Sequence, residues 1–395
     1  MTKPLIILLF ALFFIQVFTI EEEFSLSDSC SEKCSFSPLN ILFDKHYNRH
    51  PYLTVNFGRP KTDYDVYHQR IKLGNPDEYD VEHKVGKGKF AKVFKATHIP
   101  TGDQVVLKLF EKTNEERILR EIKILKELKD APNFLPLRDV LREEGEDDIV
   151  RYALIFDYFE ALHYKQFFPT LNKYQIKYLI YETLRTLDYA HSKGIMHRDI
   201  KPLNVLMRTN PLEVKVIDWG HSDYYLPDHE LSVRVASLHF KGPELLLNRT
   251  IHDYSLDIWS AGCLLAEMVF QKFHFFQSTI HRNWPKDANN TLVKMQDFAD
   301  HLDAIASVLG TTKLRQYADK FKDSMVLDIL NKVGNYKKRP WSDFVNESNE
   351  HLVDPAVFDL LEKMLTYDHT KRITAKEAMN HPYFNEVREN LNKSR

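Results

Sequence analysis

The residues best placed to do chemistry fall in one short stretch, Ile195-Met196-His197-Arg198-Asp199-Ile200-Lys201-Pro202-Leu203-Asn204, which supplies a carboxylate, an ammonium and a side-chain amide in quick succession. Another carboxylate follows in Ile217-Asp218-Trp219-Gly220, and after it comes Gly242-Pro243-Glu244. Upstream, Val105-Val106-Leu107-Lys108-Leu109 sets a lysine inside a hydrophobic strand, where an ammonium needs a partner. Glu121 sits on a segment whose apolar Ile118, Leu119, Ile122, Leu125 and Leu128 recur at helical spacing, so Lys108 and Glu121 are a candidate pair across sheet and helix. Ahead of both, two β-prone runs, Tyr79 to Val85 and Phe90 to Thr97, flank Gly86-Lys87-Gly88-Lys89-Phe90-Ala91. Glycine lacks the Cβ that would keep a phosphate away from the backbone N–H groups. Taken singly, these features also read as an ordinary hairpin turn, a snorkelling lysine and a solvated helix charge. The third glycine of a phosphate loop is missing, since Ala91 stands there.

The order of the features along residues 79 to about 385 resembles that of the eukaryotic protein kinases. Phosphoryl transfer needs positioning and charge neutralisation more than covalent help, which suits two metal-binding side chains, a lysine on the phosphates and a carboxylate at the nucleophile. Carried onto this sequence, the resemblance implies that Asp199 accepts or orients the substrate hydroxyl proton and that Lys201 lies near the γ-phosphate. It implies Mg²⁺ on Asn204 and Asp218, and Lys108, oriented by Glu121, on the α- and β-phosphates. Asp257 would brace the catalytic loop and Arg372 would pair with Glu244.

Asp218-Trp219-Gly220 with Gly242-Pro243-Glu244, together with Val233-Arg234-Val235-Ala236-Ser237, Tyr254-Ser255-Leu256-Asp257 and His381-Pro382-Tyr383-Phe384, is similar to the catalytic subunits of casein kinase II. That resemblance implies a Ser/Thr kinase using ATP or GTP, preferring acidic protein substrates and active without activation-loop phosphorylation. Its nucleotide would meet Val85, Gly86, Lys87 and Gly88 of the hairpin, walls at Val93, Val106, Phe156 and Ile217, and a hinge that includes Asp157 and Phe159. A tyrosine strap around Tyr64 and Tyr67 would pack on the activation segment. A regulatory beta-subunit dimer would dock on a sheet face carrying Val81, Phe94, Leu107 and Leu109, residues that equally suit a core.

The chain departs from that family where substrate charge is read. The family's lysine run corresponds to Asn114-Glu115-Glu116-Arg117, and between Glu111 and Asp130 six basic residues face six acidic ones. Leu238 replaces an arginine and Leu203 a histidine, which leaves Arg120, Arg234 and Lys241 as candidate anion contacts and predicts a weakened acidic preference. His221 replaces a leucine after Asp-Trp-Gly, and an insertion relative to the family falls within residues 278–298, carrying His281, Arg282 and Trp284.

The elements that must position these residues form a two-lobed α+β fold. A small antiparallel-sheet lobe with one main helix is expected over residues 79–157, and a mainly helical lobe over 158–384 with periodic segments at Lys173 to Ser192, Leu256 to Phe270 and Pro355 to Leu365. Residues 21–78 read as an extension with the strap, and 385–395 as a tail. The composition of the 395 residues, 43% hydrophobic with 12 Gly and 17 Pro, excludes disordered and collagen-like classes. Three cysteines cannot staple a chain of this length, and a net charge of −2 gives no global pull toward nucleic acid or an anionic membrane.

Leu5 to Ile20 carries no charge and follows Lys3. It reads as a secretory signal, cleaved or kept as an anchor over residues 1–20, with a buried core helix as the plain alternative. Localisation is then the secretory pathway, against the nucleus or cytoplasm implied by the family. In an oxidising lumen Cys30 and Cys34 would suit a local disulfide, and Asn248, Asn289, Asn346 and Asn392 would be glycosylation acceptors. A kinase-fold scaffold without catalysis is the competing functional class.

Overall fold

The computed structural model describes residues 50–88, 90–111, 113–144, 150–227, 229–277, 291–321 and 323–393. The hydrophobic segment at 1–20, Cys30, Cys34 and the 278–290 part of the insertion lie outside them. Among the described residues no helix is long and apolar enough to cross a membrane. The chain forms two compact units, one from Tyr67–Ile118 and Pro136–Phe159, the other from Tyr52–Val66, Leu119–Leu135 and Glu160–Arg395.

The first unit is a five-stranded antiparallel sheet of β1 (Tyr79–Lys87), β2 (Ala91–His98), β3 (Asp103–Phe110), β4 (Leu137–Glu144) and β5 (Val150–Asp157), ordered β1-β2-β3-β5-β4. Period-two alternation divides its faces. Tyr79, Val81, Phe94, Ala96, Val105, Leu107, Leu141, Ala153 and Ile155 form a buried cluster on one face, with Leu109 packed against it. Val81, Phe94 and Leu107, named above as a docking patch or core, therefore lie inside the unit's own core. The register pairs Val93 with Lys108 and Val106 with Phe156, so these four share the other face, where all remain half-buried.

Gly86, expected in the turn, is instead part of the β1 ladder opposite Val93, and the turn is closed by Gly88 N–H donating to Ala91 O at 2.8 Å. Irregularities in β1 on either side of His83 and Lys84 break the alternation, which explains why Val85 is 47% exposed. Helix α1 (Glu115–Glu127) follows β3 and buries Ile118, Leu119, Ile122 and Leu125 of the predicted stripe, with Ile124 besides; Leu128, the last of the stripe, is buried just past the helix end.

The second unit is mainly helical. Helix α2 (Lys173–Ser192) starts where the sequence predicts because Asn172 and Gln175 form a reciprocal capping box. Two short strands, β6 (Ile195–Met196) and β7 (Val205–Thr209), bracket the loop holding Asp199, and β8 (Leu212–Val216) returns as a hairpin to present Ile217 and Asp218. β9 (Asp223–Tyr224) pairs with β6. Helix α3 (Ser255–Val269) is buried on every side, as an all-round apolar helix must be. Further helices of the unit include α4 (Thr291–Leu309), α5 (Ala356–Met364) and α6 (Asn385–Lys393). The terminal segment is a helix that buries Val387 and sets Glu386 3.5 Å from Lys177 of α2.

Candidate active site

The loop from His197 to Asn204 is shaped by Asp257 at the start of α3. Its carboxylate, wholly buried, accepts the backbone N–H groups of His197 and Arg198 at 2.8 Å each and meets His191 Nε2 at 3.0 Å. Burial alone would push the Asp257 pKa up; the bonds and charge from His191, with those of His197, hold it below the ordinary carboxylate value. The same bonds hold Arg198 at φ 66°, a left-handed conformation. His197 places Nε2 3.2 Å from Ile217 O, while Nδ1 accepts the Asp199 N–H at 3.2 Å. One ring nitrogen therefore donates and the other accepts, as a neutral imidazole does, and burial lowers its pKa accordingly.

Held this way, Asp199 is 3% exposed and gathers four bonds. Oδ2 accepts from Lys201 Nζ at 2.6 Å and Asn204 Nδ2 at 3.1 Å, and Oδ1 accepts from Ser237 N–H at 3.1 Å and Ser237 Oγ at 3.2 Å. Lys201 Nζ also donates to Ser237 Oγ at 3.1 Å. The carboxylate thus already reaches an aliphatic hydroxyl beside an ammonium. That is the setting in which a hydroxyl can lose its proton while developing negative charge is neutralised.

Asn204 turns its amide nitrogen to Asp199, also reaching Asp199 O at 2.8 Å, which leaves its amide oxygen for a cation. Asp218 adopts φ 63°, ψ 69°, in the left-handed region. Trp219 is buried after it, edge-on to His197 at 4.6 Å and to Phe134 at 5.8 Å, with Nε1 donating to Val216 O at 3.4 Å. A carboxylate and an amide oxygen are the donors a hard divalent cation takes, so the residues present fit one.

Arg198 fastens the loop to the segment beyond Asp218. Its Nε donates to His221 O at 2.7 Å, and its guanidinium reaches Asp223 Oδ2 at 2.9 Å. The His221 contact uses the backbone carbonyl, so Arg198 is indifferent to the side chain at that position. Arg120 of α1 reaches the same Asp223 oxygen at 3.1 Å. The strap is present at Tyr64, whose ring meets Tyr224 edge-on at 5.1 Å; Tyr67, expected to share that role, is 63% exposed.

The candidate anion contacts separate in the structure. Arg120 is held by Asp223. Lys241, expected to face substrate, is 5% exposed and donates to Val233 O at 2.9 Å and to Val235 O; burial pushes its pKa down to about 8. Arg234 is exposed, with no side-chain partner among the described residues. Leu203, beside Lys201 in sequence, is 52% exposed.

The remaining expected residues lie in the first unit, except Glu121, which falls in the part of α1 assigned to the second. The Lys108 ammonium lies 5.3 Å from the Phe110 ring centroid, Glu121 is 3% exposed on α1, and Asp157 pairs with Arg138 at 3.0 Å. A Cβ at Gly86 or Gly88 would meet only ordinary contacts, 3.5 Å from Val93 Cβ and 3.6 Å from Ala91 O, and neither glycine has positive φ. Internal packing therefore does not require these glycines.

Sequence reading did not single out Ser237, Asp223 or His191. Ser237 had a signal, a hydroxyl four residues before Lys241. Asp223 had none, because its partners Arg198 and Arg120 are 25 and 103 positions away. Residues 79–384 match the family model of the protein kinase domain, which spans both units and every residue of the Asp199 cluster. With that match over most of its length, the chain belongs to the protein kinase family.

Proposed function

We propose that this protein is an active Ser/Thr protein kinase of the casein kinase II type, transferring the γ-phosphate of ATP with Mg²⁺ to protein substrates and reading acidic sequence weakly. Family membership carries a phosphotransferase activity that uses ATP and a divalent metal. The observation that carries the finer reading is the Asp199 cluster, in which one carboxylate holds Lys201, Asn204 and the Ser237 hydroxyl. A substrate serine or threonine would bring the same kind of hydroxyl to Asp199. Asp199 would orient it and take its proton, and Lys201 would steady the charge on the transferring group. Asn204 and Asp218 would hold the metal, whose chemistry is to neutralise the phosphate oxygens.

Activity without activation-segment phosphorylation is supported by Arg198, whose guanidinium is already held by Asp223. A phosphate there would compete with a carboxylate supplied by the chain itself. Weak acidic preference is supported by Arg120 on Asp223, Lys241 on backbone carbonyls and Leu203 exposed near the catalytic lysine, leaving Arg234 as the exposed cation of the three. Use of GTP, a regulatory beta-subunit partner and entry into the secretory pathway complete the proposal on sequence grounds alone.

The test is phosphate transfer by the full-length protein to paired serine peptides, with and without an acidic tail, using ATP and then GTP. Rates within a factor of three for the two peptides are expected, and loss of transfer in Asp199→Ala by about 10²–10⁴-fold. A tenfold preference for the acidic tail, about 1.4 kcal/mol, would overturn the weakened-preference reading. Nucleotide binding without transfer would establish the scaffold alternative.

A further inference from the structure

Beside the catalytic cluster lies a group of three histidines that phosphoryl transfer does not use. His239 sits in the 3-10 turn Leu238–Phe240, between Ser237 and Lys241. Its ring stacks on His274, from the loop after α3, with centroids 3.9 Å apart and planes at 27°. It meets His301 of α4 edge-on at 5.5 Å. His239 Nδ1, His274 Nδ1 and His301 Nε2 are buried atoms with no hydrogen-bond partner among the described residues. His274 stands at φ 54°, held by its N–H donating to Glu267 Oε1 at 2.6 Å. Among the described residues no group of three His, Cys, Asp or Glu side chains is arranged to hold a metal, and rings stacked face to face cannot both aim a lone pair at one ion.

We propose that His239, His274 and His301 form an acid-sensitive positioning clamp on residues 237–241, the segment that orients Asp199, and that the clamp opens when its imidazoles take up protons. The proposal rests on the kinase reading only for its consequence for transfer; the clamp itself is a property of the packing.

The charges around the cluster favour neutral rings. Burial lowers the pKa of His274 and of His301; Lys165, preceding α2, adds to the effect at His274, and Lys241, on the same segment as His239, adds to it at His301. Glu267 of α3 is the carboxylate facing the group, with Oε1 3.7 Å from His274 Nδ1. Burial pushes the Glu267 pKa up to about 7, so it loses its charge before a neighbouring imidazole gains one. Burial, then His274, brings His239 down to about 4, and burial, then His239, Lys241 and His274, brings His301 down to about 3. A histidine released to solvent returns to about 6.5. The closed clamp therefore binds fewer protons than the open one. It is favoured above pH ~6.5 and loses ground as pH falls toward the closed-state values, by up to about tenfold per pH unit for each ring released. His274 is partly open to solvent and gives the proton its route in.

Opening acts on catalysis through Ser237. Its N–H and hydroxyl both hold Asp199 Oδ1, and Lys241 pins the same stretch to Val233 O and Val235 O. Release of residues 237–241 would free one oxygen of the catalytic carboxylate from its two positioning donors.

The experiment follows peptide phosphorylation and amide hydrogen exchange of residues 233–241 in the full-length protein between pH 7.5 and 5.5, with exchange corrected for its intrinsic pH dependence. His239→Phe keeps an aromatic ring in the stack but cannot take a proton. In the wild type, transfer and amide protection are expected to fall together below pH ~6.5, more steeply than tenfold per unit. In His239→Phe the fall should be shallower by one proton, retaining about tenfold more of its pH 7.5 activity at pH 5.5. Identical pH dependence of exchange in the two proteins would overturn the clamp. Should His239→Phe fail to fold, nuclear magnetic resonance titration of the wild-type imidazoles decides: rings that take up protons in step with the loss of protection at residues 233–241 would uphold it, and rings that titrate while protection is unchanged, or stay neutral while protection falls, would overturn it. Acid-triggered opening with no transfer at any pH would refute the kinase reading and leave the clamp standing.

Discussion

The Asp199 carboxylate is oriented from both sides, by Lys201 and Asn204 on one oxygen and Ser237 on the other, and the loop beneath it hangs on Asp257. Asp257 is the more demanding position, because it is fully buried and takes backbone donors from His197 and Arg198 together with the His191 ring. Asp257→Asn keeps the shape but turns an N–H₂ toward groups that already donate. Each buried donor left unpaired costs about 1–3 kcal/mol. Urea unfolding should show a lower midpoint at unchanged slope, with transfer falling alongside it. An unchanged midpoint would mean that the loop does not depend on this carboxylate. The sign of its pH dependence follows from its lowered pKa: the contribution of Asp257 is present above the ordinary carboxylate range and lost as pH falls through its folded value.

One level up, short elements hold the segment after Asp218 in place. Asn56 of the strap donates to Gly194 O at 3.0 Å and Tyr225 O at 2.7 Å, and Gly194 at φ 78° has no room for a Cβ, which would lie 2.2 Å from Asn56 Oδ1. Tyr224 of β9 donates to Glu127 of α1 at 2.7 Å, and Arg59 of the strap reaches Glu127 at 3.5 Å. Strap, helix and activation segment thus share one carboxylate. Tyr224→Phe removes the neutral member of that group and should cost about 1.5–3 kcal/mol, the range for a hydrogen bond to a charged group. Faster amide exchange across residues 52–66 would report the loosened strap. Exchange confined to Tyr224 itself would show that the strap is held independently of this bond.

At the scale of the second unit, Glu244 and Arg372 form a buried ion pair, 128 positions apart and joined at 2.8 and 3.0 Å, with both side chains essentially inaccessible. Burial would raise the Glu244 pKa, and the guanidinium holds it below the usual carboxylate value. Arg372→Leu leaves that charge alone in the interior and should destabilise by about 3–5 kcal/mol, whereas adding Glu244→Met should recover most of the loss. Equal instability of the single and double variants, measured by urea unfolding, would show that Arg372 matters through packing on Trp259, whose ring centroid is 5.1 Å away.

The amino-acid order by itself supplied the candidate reactive groups and the elements that carry them. Asp199, Lys201, Asn204 and Asp218 sit in contiguous motifs, and the apolar periodicities of α1 and α2 declare their helices, because motif spacing and hydrophobic period are local properties of the chain. Only the tertiary structure decided which charges remain for a substrate. Arg120, Arg234 and Lys241 are alike as letters, but Arg120 meets Asp223 across 103 positions, Lys241 is turned onto carbonyls of its own loop, and Arg234 stays in solvent. The same holds for the stacking of His239 with His274 and His301. Burial and partnership of a side chain depend on residues distant in sequence, so the chemistry of a site is written along the chain while its electrostatics are set by folding.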